Sequence, residues 1–164
     1  MTKGVEMQNA KDTFYVTLRD RLAKLNTART MMLRGVARPS ILVEENELPM
    51  DGVFTGAFVL RWQELLHLAQ VSAELYSMRC EIRYTADDDS GTHRGRILDA
   101  MDVELLAILS PGWALKQNFT MPSLVDMKTH VFWNTPVFGA PSVSDGGLER
   151  VVKVDVFTYR EAGE

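Results

Sequence analysis

The stretch Leu75–Leu109, LYSMRCEIRYTADDDSGTHRGRILDAMDVELLAIL, constrains the fold more than any other part of the chain. From Tyr76 its residues alternate. Tyr76, Met78, Cys80, Ile82 and Tyr84 take one side, and Ser77, Arg79, Glu81 and Arg83 take the other. A period of two marks a strand with one covered face and one wet face. Asp87, Asp88, Asp89, Ser90 and Gly91 then interrupt the pattern with turn-forming residues. Beyond them Ile97, Leu98, Met101, Leu105, Ile108 and Leu109 recur at spacings of three and four. That stripe predicts a helix over 93–109, capped by Ser90 or Thr92 and lying on a sheet.

The flanking segments extend this picture. Phe14, Leu18, Leu22 and Leu25 form one apolar stripe, which predicts a helix over 13–25 capped by Asp12 or Thr13. From Asn26 to Arg38 the pattern weakens, punctuated by Gly35 and Pro39. SILVEE, residues 40–45, reads as a strand ending in the acidic run Glu44, Glu45, Asn46, Glu47, which is expected to face water. Residues 53–62 are rich in β-formers, with Gly56 marking a bulge or a close backbone approach. Residues 63–70, QELLHLAQ, fit either a short helix or a continuing extended arm.

Ser110, Pro111 and Gly112 stop the second helix. An irregular section is expected over 113–127, β character over 128–138, a loop over 139–147 and a last strand over 148–159. Residues 1–10 and 161–164 read as polar, flexible ends of a single domain spanning 1–164. Few helices, with strands joined by hairpins or loops, give an α+β fold. The expected form is a mostly antiparallel sheet with two helices packed on one face.

Composition narrows the function classes. The 164 residues carry a net charge of −4, so a general affinity for nucleic acid phosphates is not expected. Arg19, Arg21, Lys24, Arg29, Arg34 and Arg38 crowd the first quarter, and are expected to be a solvated helix edge and loop rather than a basic binding face. Cys80 is the single cysteine, so no intrachain disulfide or Cys-rich metal site can form. On the apolar side of its strand it reads as a small buried hydrophobe. No apolar run approaches a membrane span and the N-terminus lacks a signal-peptide core, so no membrane contact is expected and the cytoplasm is the expected location.

No catalytic constellation emerges, so the chain is expected not to be an enzyme and to use no cofactor. His67, His93 and His130 are widely spaced, without HxxxH or HExxH. Asp87 to Asp89 with Gly91 faintly resemble a calcium loop, but Leu98 occupies the place of the bidentate glutamate. No GxSxG, GxGxxG or GKS/T motif is present. Trp62, Trp113 and Trp133 suit core or interface anchors, with a ligand pocket as the alternative.

The order of segments resembles a known family. FYVTLRDRLAKL is followed by ARPSILVEENE, AFVLRW, CEIRYTADDD and GRILDAMDVELLAIL, and the chain closes on RVVKVDVFTYRE. This is similar to the tail-terminator or tail-completion proteins of long-tailed bacteriophages, the gpU-like minor tail proteins. The matching features are Pro39, Ile41 and Val43; Glu81, Ile82 and Tyr84; Asp87 to Asp89; and Leu98 with Asp99. The section 110–147 departs from the family pattern. The resemblance implies a small α+β protomer of a hexameric ring that caps the tail tube and meets the head connector. Its partners would be copies of itself, the tail tube and the connector, first in the host cytoplasm and then in the virion tail. Arg79, Glu81 and Arg83, with Asp87, Asp88 and Asp89 beyond them, are the candidate channel or subunit-contact residues. The alternative is a small-ligand-binding or enzymatic α+β domain of unknown substrate.

Overall fold

A computed structural model describes residues 7–47, 55–69, 74–87, 91–144, 147–162 and 164. The elements in chain order are α1 (Gln8–Leu25), β1 (Thr30–Leu33), β2 (Val36–Pro39), β3 (Ile41–Val43), α2 (Glu44–Glu47), β4 (Phe58–Ala69), β5 (Leu75–Ala86) and α3 (Arg94–Ile108). They continue with β6 (Trp113–Asn118), β7 (Val125–Trp133), β8 (Val137–Phe138), β9 (Ser142–Ser144) and β10 (Gly147–Tyr159). The chain is α+β. Among the described residues, eight strands form one sheet in the order β3-β4-β5-β10-β7-β6, with β8 and β9 also on β10. All pairs within it are antiparallel except β3 with β4.

Among the described residues, the expected pair of helices on one sheet face gives way to three helices around a curled sheet. Along one edge β10 pairs with β5 from Leu148 to Tyr159, while along the other it is met in turn by β9, β8 and β7. Register shifts also interrupt β4 against β5 and β6 against β7. Long strands accumulate right-handed twist, and each irregularity adds to it, so the sheet bends.

The inward face is sealed by side chains that sit opposite one another in register: Trp62 and Val154 flank Cys80, and Leu60 and Val152 flank Ile82. Phe14 of α1 anchors the core, edge-on to Trp62 at 5.6 Å and to Trp133 at 5.0 Å. Leu98, Met101, Leu105 and Ile108 of α3 complete it. Burial pushes the Cys80 thiol far above its ordinary value, so it stays protonated and unreactive.

Several boundaries move from those expected. Helix α1 begins at Gln8, ahead of the expected caps: its N-cap is Met7, without a side-chain cap bond, while Asp12 accepts from Gln8 and Thr13 donates back to the Asn9 carbonyl inside the helix. His93, not Ser90 or Thr92, precedes α3, likewise without a side-chain cap bond; Ser90 lies outside the described residues. Residues 63–69 continue β4 as an extended arm. The acidic run after β3 is α2, and it does not simply face water. Glu47 pairs with Arg38 at 2.8 Å, Glu45 with Lys11 at 3.5 Å and Glu44 with Arg61 at 3.8 Å. The section 113–127 holds β6 and the start of β7, and the loop 139–147 holds β9 and the first residue of β10.

The weak pattern before Pro39 conceals a separate two-stranded sheet, β1 with β2. Its two-residue turn is Arg34–Gly35, both with positive φ, 51° and 81°. That is the sense of twist a tight hairpin requires.

Candidate interaction surface

The side of the sheet away from α1 and α3 carries the charged residues picked out from the alternation. Arg79 lies opposite Asp155 in register and donates to its Oδ1 at 3.0 Å. That hydrogen bond and the Asp155 charge raise the Arg79 pKa above its ordinary value. Glu81 sits between Lys153 on β10 and Arg61 on β4, and accepts from Gln63. Arg83 pairs diagonally with Glu149 at 3.3 Å. The structure thus brings Arg79, Glu81 and Arg83 together on one face, held in a cross-strand ladder. Asp87 is exposed just past the end of β5, while Asp88 and Asp89 lie outside the described residues. Among the described residues no cluster of side chains could hold a metal ion.

Farther along the same face lies an aromatic group that the sequence did not bring together. Phe132 stacks on Phe157 at 5.4 Å and meets Tyr159 at 6.1 Å, while Trp113 and His130 meet edge-on at 5.1 Å. Trp113 remains 52% exposed, whereas Trp62 and Trp133 belong to the core. His130, Phe132, Phe157 and Tyr159 fall in segments that read as strands, and only Trp113 on β6 does not; what the spacing lacked was the pairing of β7 with β10 and β6. His67 is not part of this face: it stacks at 4.8 Å on Tyr76, its register partner on β5 and a residue of the covered side.

The basic first quarter is neither a free binding face nor merely solvated. Arg21 donates to the carbonyls of Ile108, Pro111 and Trp113 at 2.8–3.1 Å and lies over the Trp133 ring. It thereby satisfies carbonyls at and beyond the C-terminus of α3. Arg29 binds Glu104, with side chains only 17% and 15% exposed, and also reaches the Gly56 carbonyl. Arg38 ties Glu47, Tyr15 and the Ile41 carbonyl together. An open cleft of about 480 Å³ lies beside this group, lined in part by Arg29, Ser40 and Gly56. None of the three tryptophans borders it.

Glu161 and Glu164, beyond the last strand, meet a buried lysine of β6. Lys116, fully buried, donates to the Thr158 hydroxyl, the Tyr159 carbonyl and Glu164, and lies 3.8 Å from Glu161. Burial alone would raise the Glu161 pKa. Hydrogen bonds from the Thr129 hydroxyl and the Lys128 and Thr129 amides, with the Lys116 charge, hold it below its ordinary value.

The strand edges of the main sheet are treated unequally. On β6 and just beyond it, the Gln117 and Phe119 amides donate to Thr13 and Asn9 of α1 at 3.1 and 3.0 Å. On β3 the Ile41 carbonyl accepts from Tyr15 and Arg38. On β4, by contrast, no described strand pairs with Gln63–Leu68 on the side away from β5. Leu65, Leu66 and Leu68 are exposed there.

Among the described residues, no helix is long and apolar enough to cross a membrane. No family model matches the chain, and no curated protein matches it.

Proposed function

We propose that the chain is a structural protomer of a phage or prophage tail, of the terminator or completion type. In this reading copies of it close into a ring, hexameric in the family it resembles. The ring caps the tail tube and joins it to the head connector, and the protomer makes and breaks no bonds.

The observation that carries the proposal is the division of the sheet into a sealed face and a bare one. One face is closed by α1 and α3 over a core centred on Phe14. The other presents a polar ladder at one end and a half-exposed tryptophan with its aromatic neighbours at the other. Aromatic side chains beside paired charges suit a surface that other proteins cover. Arg79, Glu81 and Arg83 then face the ring channel or a neighbouring subunit.

The test is binding to tail tubes purified from a phage that lacks this protein, viewed by negative-stain electron microscopy. Density at one tube end only is the expected result. No binding, or decoration along the tube wall, contradicts it. Capsid, portal and tail-tube genes beside the coding sequence are the matching genomic expectation.

A further inference from the structure

We propose that the β1–β2 hairpin of one copy adds to the open edge of β4 in the next copy, extending its sheet. The inference rests on the ring reading above and names the contact that builds the ring. Three observations lead to it.

First, the acceptor is conspicuous within its own molecule. An edge strand with free backbone donors and acceptors invites pairing, and folded proteins blunt such edges. Here β6 and β3 are blunted by side chains of α1 and by Arg38. Among the described residues nothing pairs with or caps the edge of β4 at Gln63–Leu68, which carries three exposed leucines.

Second, the donor has spare surface. The hairpin is anchored to its own body by the buried Leu33 and by Arg38, but it stays outside the main sheet as two strands only and exposes Met32 (64%) and Val36 (63%). Third, the charges match: Arg34 sits at the hairpin turn and Glu64 on the β4 edge, both exposed. β-Augmentation supplies main-chain hydrogen bonds, with side chains of alternate residues giving register. Donor and acceptor are different surfaces of one chain, so the contact is head-to-tail. Such a contact closes into a ring when its rotation permits.

The experiment is a thiol-specific cross-link in the full chain. Cys80 is buried and unreactive, so the natural chain serves as the background. Met32→Cys with Leu66→Cys is treated with a short bismaleimide. Met32→Cys with Val103→Cys, which lies on the exposed side of α3, is the control. Masses are followed by light scattering before treatment. A ladder of covalent oligomers in the first variant, absent from the control, is expected. A multimer by scattering with no ladder, or with equal ladders in both variants, overturns the hairpin-to-edge contact and leaves the ring reading standing. A monomer at every concentration with no ladder overturns both.

Discussion

The two faces of β5 belong to the same twelve residues and behave as different materials. Met78, Cys80, Ile82 and Tyr84 are at most 1% exposed, locked among α1, α3 and the neighbouring strands. Arg79, Glu81 and Arg83, one residue away in each case, hold cross-strand partners at the surface. The covered face carries the stability of the fold, since area removed from water dominates folding. The bare face contributes little to folding, so its composition is free to answer to what it meets.

That comparison can be broken by substitution, beginning with the covered face. Phe14→Ala removes a ring in contact with both Trp62 and Trp133. It is expected to destabilise the fold by about 3–5 kcal/mol, read as a lower denaturant midpoint. At the boundary between core and surface, Arg29→Ala leaves the part-buried Glu104 carboxylate without its guanidinium. A loss of about 1.5–3 kcal/mol is expected, the range for hydrogen bonds to charged groups.

A smaller effect comes from pH. The Glu161 pKa is lower in the folded protein than its ordinary value of 4.5. Its contribution to stability is therefore present above the unfolded pKa and is lost as pH falls through the folded one. Denaturation between pH 5 and pH 3 is expected to be steeper in the parent chain than in Glu161→Gln. Equal pH profiles would show that the Glu161 contacts contribute nothing.

The smallest effect on stability belongs to the bare face. Arg79→Ala is expected to cost at most about 1 kcal/mol, because exposed ion pairs are screened. The double reversal Arg79→Glu and Arg83→Glu sharpens the comparison. It is expected to leave a folded chain that no longer joins tubes. Unchanged assembly would remove these residues from the contact surface.

How much of this was legible depends on whether burial and polarity agreed. Strand β5 announced itself because every inward residue from Tyr76 to Tyr84 is apolar. Strand β6 was hidden because its most buried residue is Lys116, which reads as solvent-facing until Thr158, the Tyr159 carbonyl and Glu164 surround it. The β1–β2 hairpin was hidden because its turn is Arg–Gly rather than Asn–Gly or Asp–Gly. The sidedness of Arg79, Glu81 and Arg83 followed from spacing alone. Their partners Asp155 and Glu149 did not, because β10 reaches β5 only after α3 and four intervening strands. The roles of Arg21, Arg29 and Arg38 were invisible for the same reason: their acceptors are contacts of the folded chain, several of them backbone carbonyls.

The claim that matters most is that copies of this chain assemble with one another. Native mass spectrometry of the purified protein over a range of concentrations measures it directly. A discrete species at a whole-number multiple of 18.5 kDa is the predicted result, six copies in the proposed ring. A single species at 18.5 kDa at every concentration would contradict it.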